Sequence, residues 1–299
     1  MTAKDLPSAD ELRAEVHDWL AQNWVGLPKS TDPWVSSPEK VAWLQKVLDA
    51  GYAVPTYPTD WFGREYPNAL AAVIEQEFRA VKAPGARQDK YSIPANTALK
   101  FGTDQLKTDL VRDFLTERIR TCLLYSEPGA GSDLAAVRTT AVRDGDEWVV
   151  NGQKVWTSLA QFATRCVLLT RTGPGHDGIT AFFLDMDTPG ITVRPLTTMH
   201  DREEFCEVYF DDVVVPADRM LGNPGDGWKL AMDLLPHERS SCFWHRIAYL
   251  FTRLDQIAAV SDPADDRELG DAYLALHTVR SRSYSTQKRL QAGLPLGPE

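Results

Sequence analysis

The sequence predicts an α+β fold in three parts: a helical segment, a middle sheet, and a second helical segment. Up to about residue 120, apolar residues recur at helical spacing. From about Cys122 to Pro216, short β-branched and aromatic runs alternate with turn clusters. From Gly227 onward the helical spacing returns. Strands this close together, with no helix between them, favour an antiparallel sheet or small barrel over a Rossmann unit. The expected divisions are 1–120, 121–222 and 223–299.

The first helix has a capping signal in Ser8-Ala9-Asp10-Glu11, followed by Leu12, Val16, Trp19 and Leu20 on one face. A second fits Ser37-Pro38-Glu39 onward, with Val41, Leu44, Val47 and Leu48 facing one way and a stop at Gly51. Tyr57 to Arg64 reads as a loop. A third helix spans about Asn68 to Ala80, and Leu99, Phe101, Leu106 and Val111 extend the pattern toward Leu115. Expected strands centre on Trp148-Val149-Val150, Val167 to Thr170, Thr180 to Leu184, Ile191 to Val193 and Glu207 to Phe210. Turn clusters such as Thr172 to Gly175 and Thr188 to Gly190 separate them. Asn151-Gly152, flanked by strand formers, carries the signature of a two-residue hairpin.

Composition narrows the functional classes. With 43% hydrophobic and 25% charged residues, the 299-residue chain reads as globular. A net charge of −10 argues against non-specific nucleic-acid binding. No apolar run approaches the ~20 residues of a membrane span, and the N-terminus lacks the apolar core of a signal peptide. The four cysteines, Cys122, Cys166, Cys206 and Cys242, show no paired or metal-type spacing and read as buried thiols in a reducing cytoplasm.

The chemistry concentrates between Leu123 and Ser158. Gly129, Gly131, Ser132 and Asp133 follow an apolar run; glycines let a backbone approach a ligand, and Ser and Asp bond to nearby amides. Neither the three-glycine dinucleotide fingerprint nor the Gly-Lys-Ser/Thr phosphate loop is present. On spacing alone this stretch reads more readily as a structural turn than as a ligand loop.

Ser126-Glu127-Pro128-Gly129-Ala130-Gly131-Ser132-Asp133, then Asn151-Gly152-Gln153-Lys154-Val155-Trp156, resembles the acyl-CoA dehydrogenase family. Val208-Tyr209-Phe210-Asp211-Asp212-Val213-Val214-Val215-Pro216 and Gly225-Asp226-Gly227-Trp228 continue the resemblance in the family's order. It implies an acyl-CoA dehydrogenase-like fold, helical bundle, middle β domain, helical bundle, with FAD as cofactor and an acyl-CoA as substrate. It assigns Tyr125, Ser126, Ser132, Trp156 and Ser158 to the flavin: Tyr125-Ser126 at the isoalloxazine ring, Ser132 at the pyrophosphate, Trp156 against the ring, and Ser158 near the nitrogen that accepts hydride. A flat aromatic suits a flat ring, and hydroxyls suit its polar edge. The same residues also read as one of nine tryptophans in a core and a strand-end hydroxyl.

The resemblance further implies Glu238, in Leu234-Leu235-Pro236-His237-Glu238-Arg239, as the base that removes the α proton, with Ser132 and Arg239 toward the substrate. Glu238 also reads as a solvated partner of Arg239 or Arg246. An electron-transfer flavoprotein is the implied electron acceptor, in the cytoplasm. The chain is expected to stop partway through the terminal helical domain, and the family's Arg-x-x-Phe-Gly segment has no clear counterpart; Arg280-Ser281-Arg282-Ser283-Tyr284 is the nearest. A homo- or hetero-oligomer is expected, with a second acyl-CoA dehydrogenase subunit completing the FAD site, as in heterotetramers acting on fatty acyl or steroid side chains. The alternatives are a non-catalytic supporting subunit and a flavin monooxygenase or nitroalkane oxidase of the same fold.

Overall fold

The computed structural model describes residues 6–29, 36–291 and 294. Its first helix, α1 (Ala9–Asn23), begins where the sequence sets a capping box. The Ser8 hydroxyl accepts the Glu11 N–H, and the Glu11 carboxylate takes the Ser8 N–H. In α2 (Pro38–Asp49), Ser37 caps the Lys40 N–H and Pro38 occupies the first turn, where its missing N–H costs nothing. α3 (Asn68–Ala80), the short α4 (Gln88–Tyr91), α5 (Ile93–Phe101) and α6 (Asp104–Leu115) follow. Their shared core is aromatic: Trp19, Trp43, Tyr52 and Phe78 meet with ring centroids 5.1–6.3 Å apart. The expected Tyr57–Arg64 loop holds a single turn of 3₁₀ helix at Thr59–Trp61.

The strands are β1 (Thr121–Leu124), β2 (Thr140–Asp144), β3 (Glu147–Ser158), β4 (Arg165–Arg171), β5 (Ile179–Asp185), β6 (Ile191–Leu196), β7 (Phe205–Pro216) and β8 (Met220–Leu221). They form one sheet ordered β6-β7-β3-β2-β4-β5-β8, with β1 beside β4. The sheet is mixed, which corrects the purely antiparallel expectation. β1 runs parallel to the first half of β4, from Thr121 opposite Arg165 to Leu124 opposite Leu168. β2 touches β4 only at its far end, Thr140 opposite Arg171. Two strands thus share one edge of β4, and the chain from Tyr125 to Thr139 leaves the sheet between them. The remaining ladders are antiparallel.

β4 and β5 are buried almost throughout because both faces are covered. Leu168 and Phe182 face the sheet core with Trp148, Val150, Val208 and Val213, and Phe183 meets Phe114 of α6 at 5.3 Å on the other side. A continuous apolar run is what such a strand requires.

The hairpin expected at Asn151-Gly152 is not there. β3 passes straight through those residues, and the turn joining it to β2 lies at Asp144-Gly145-Asp146, where Gly145 supplies the left-handed φ of +58°. Gly152 serves a different need. A Cβ there would sit 2.7 Å from the Thr139 Cα, so only glycine permits that approach. Asn151 spends its amide on β7, giving Nδ2–H to Asp212 and accepting the Asp212 N–H, both at 2.9 Å.

The chain divides into two compact units, up to Ala231 and from Met232. α7 (Gly227–Ala258) starts in the first; in the second its later turns pack with α8 (Asp266–Gln291). Phe251 meets His277 at 4.9 Å, and the Tyr273 hydroxyl donates to Asp255. Helix α7 continues through Pro236. Among the described residues, no helix is long and apolar enough to cross a membrane.

Candidate flavin site

The Tyr125–Thr139 excursion is held from below by three sets of contacts. At its start, the Ser126 carbonyl accepts the Val155 N–H of β3 at 3.0 Å. At its end, the Arg171 guanidinium donates to the carbonyls of Val137 and Ala135, and the Arg171 N–H bonds the Thr139 carbonyl. Between them, Glu127 and Ala130 exchange backbone hydrogen bonds, closing a tight turn whose tip, Pro128-Gly129, is exposed. A Cβ at Gly129 or Gly131 would meet nothing within 4 Å, so the surface over this turn is open.

Beneath the turn lies an ion pair between two residues of the family-like motifs to which the resemblance assigns no role. Lys154 of β3 is fully buried and Glu127 nearly so, with Nζ and Oε1 2.8 Å apart. Lys154 also donates to the Tyr125 carbonyl at 3.1 Å. Glu127 accepts the backbone N–H groups of Arg138 (2.7 Å) and Thr139 (2.9 Å). Burial pushes the Lys154 ammonium down, to about 8, with Glu127 holding it up against that. Burial works to raise the Glu127 carboxyl as well, but the Lys154 charge and the Thr139 amide outweigh it, and its pKa lies below the ordinary value. One signal was readable: a lysine amid strand formers at an inward position.

One residue beyond this pair β3 becomes irregular. Its register with β7 shifts between Lys154 and Thr157, and within the shift Trp156 adopts φ +60°. An aromatic residue in the left-handed region is strained by about 1–2 kcal/mol. The bulge leaves the Trp156 side chain 62% exposed, its ring edge-on to Phe205 at 6.0 Å. Thr157 turns inward, and its hydroxyl is buried without a hydrogen-bond partner among the described residues. Ser158 ends the strand, exposed, opposite Phe205.

The structure therefore brings Tyr125 and Ser126 beside the Lys154–Ser158 segment of β3. Tyr125 is buried, Ser126 half-buried, and Ser132 exposed farther along the same loop. Glu238 and Arg239 lie on α7 in the second unit, and their side chains are outside the described residues. Of the cysteines, Cys122, Cys166 and Cys206 are buried free thiols, while the Cys242 side chain lies outside the described residues. Burial pushes the Cys122 thiol up to about 12.

Residues 122–213 match the family description "Acyl-CoA dehydrogenase, middle domain". The chain is 36% identical over 310 aligned positions to the acyl-CoA dehydrogenase IpdE1 of Mycobacterium tuberculosis, covering 95% of this chain and 78% of the relative. It belongs to the acyl-CoA dehydrogenase family. Its fold agrees. The ChsE4-ChsE5 complex from Mycobacterium tuberculosis contains a chain that superposes with a TM-score of 0.66 at 26% identity, over 95% of this chain and 77% of that one. A variant of the Tcur3481-Tcur3483 steroid ACAD superposes with a TM-score of 0.71, also at 26% identity, over 96% and 78%.

The site residues suit the family's flavin. An open surface lies above a loop of small residues that carries Ser126 and the exposed Ser132, and an exposed indole stands on a strained bulge two residues before the exposed Ser158. These are a planar surface for a planar ring and hydroxyl donors for its polar groups.

Proposed function

We propose that this acyl-CoA dehydrogenase binds FAD on the Tyr125–Asp133 loop and the Trp156–Ser158 edge, and oxidises an acyl-CoA thioester to a trans-2-enoyl-CoA. The observation that carries the reading is Trp156: a strained φ and a largely exposed ring, within a register shift of β3 against β7. Strain of this kind persists where surrounding contacts enforce it, and it clusters at ligand sites.

In this reading Trp156 packs against the cofactor, Tyr125, Ser126 and Ser158 border its ring, and Ser132 reaches its pyrophosphate. When bound, FAD supplies the acceptor for the hydride that leaves the substrate's β carbon. Glu238 removes the α proton as a carboxylate; the electrons of that C–H bond form the new double bond as the hydride departs. Ser132 and Arg239 hold the substrate. An electron-transfer flavoprotein takes the electrons onward, in the cytoplasm. The chain is organised as 1–120, 121–222 and 223–299, with the site carried by the middle part and the base by the last.

The ChsE4-ChsE5 and Tcur3481-Tcur3483 structures are each named for two components, and one is described as a steroid ACAD. They support a hetero-oligomer; in this reading its second subunit completes the FAD site, and the acyl chain is as bulky as a steroid side chain.

The test is Glu238→Gln. It is expected to lower turnover by about 10²-fold or more with FAD still bound. Unchanged turnover would remove Glu238 from the mechanism. A colourless protein, even when co-expressed with its partner, would favour a non-catalytic supporting subunit. Bound flavin that no acyl-CoA reduces would point to monooxygenase or nitroalkane oxidase chemistry.

A further inference from the structure

The Glu127–Lys154 pair is buried where burial is hard to justify by stability. Removing two charges from water costs several kcal/mol per ion, and apolar replacements of equal volume are often neutral or better. What this pair does have is position. Glu127 belongs to the turn and receives the N–H groups of Arg138 and Thr139, where the loop re-enters the sheet. Lys154 belongs to β3 and grips the Tyr125 carbonyl, where the loop leaves it. Lys154 is also the last residue in register with β7, opposite Val208, before the bulge that presents Trp156. The same frame is tied again at Gly152, where the backbone of Thr139 comes so close that no Cβ fits.

From this geometry we infer that Glu127 and Lys154 are positioning residues: a buried ionic strut that sets the Tyr125–Ser132 loop at a fixed offset from the Trp156–Ser158 edge, and so sets how firmly both ends of the flavin are held. The inference rests on the FAD reading above. Both side chains lie buried beneath the turn, and each acts through the backbone carrying the hydroxyls and the indole. Lys154 has three N–H groups, and one bond to Glu127 and one to the Tyr125 carbonyl join β3 to two points of the loop at a single atom. A neutral pair of similar shape would fill the same volume without that directional hold.

The experiment uses the full chain, co-expressed with its partner if it has one. Wild type is compared with the volume-conserving double variant Glu127→Gln/Lys154→Met and with Glu127→Gln alone. FAD affinity is read by titrating FAD into apoprotein, and the bound flavin's visible spectrum and apoprotein Tm are recorded. The double variant is expected to keep a Tm near wild type, to bind FAD about tenfold or more weakly, and to shift the flavin bands. Glu127→Gln leaves the Lys154 charge buried without its carboxylate, so it is expected to weaken FAD binding at least as much and to lower Tm as well; affinity and spectrum are read below that Tm in whichever variant folds. Wild-type affinity and spectrum in the folded variants would overturn the strut. A wild-type protein that binds no FAD would instead overturn the reading beneath it.

Discussion

β4–β5 and the far half of β3 belong to one sheet yet are built to opposite ends. β4 and β5 pair without interruption for seven residues each and expose almost nothing. β3 slips register twice, carries an aromatic at φ +60°, leaves the Thr157 hydroxyl without a hydrogen-bond partner among the described residues, and buries an ion pair. Regular pairing of apolar side chains supplies stability, and deviations from it cost stability. Here the deviations fall together, on the part of β3 that bonds through Lys154 and Val155 to the loop that the resemblance assigns to the flavin. The difference separates a scaffold from a site: substitutions in β4–β5 should act on folding, and those at the bulge on flavin.

The largest expected effect is on the scaffold side. Phe182 is fully buried and meets Trp148 edge-on at 5.6 Å. Phe182→Ala should cost about 3–5 kcal/mol in urea unfolding while the folded fraction keeps its FAD affinity. A smaller, pH-dependent effect belongs to Glu127. Its pKa is lowered in the folded state, so its contribution is complete above the ordinary carboxylate pKa and is lost as pH falls through the lowered value. The stability advantage of wild type over Glu127→Gln should therefore shrink on acidification; an advantage that grows would contradict the pairing. At the bulge, Trp156→Gly should leave stability within about 1 kcal/mol of wild type, because relief of left-handed strain offsets the added freedom of the unfolded chain. FAD binding should nonetheless weaken by about tenfold or more. A variant that loses stability but keeps its flavin would invert the comparison. The smallest effect is a non-event: with their thiols buried and pushed upward, Cys122 and Cys166 should resist alkylation at pH 8 until the chain is denatured.

Local signals were legible where the chemistry is local. Ser8 and Glu11, three residues apart, foretell the capping box, and Ser37-Pro38 foretells the start of α2. Asn151-Gly152 misleads for a physical reason. Its glycine answers to Thr139, a neighbour across the sheet, while the less conspicuous Asp144-Gly145 makes the turn. The Glu127–Lys154 strut escaped for the same reason: its partners are distant in sequence, and they meet where the loop after β1 bonds to β3. The flavin-site candidates came from resemblance, because spacing alone did not separate an exposed Trp156 from a core tryptophan. Its exposure and dihedral do.

The measurement that bears most directly on the account is an anaerobic titration of the purified protein, with its partner if required, against a series of acyl-CoAs, followed in the visible spectrum. Oxidised flavin bands are expected that bleach with at least one acyl-CoA and return when an electron acceptor is added. A folded protein with no flavin bands, or with bands that no acyl-CoA bleaches, would contradict it.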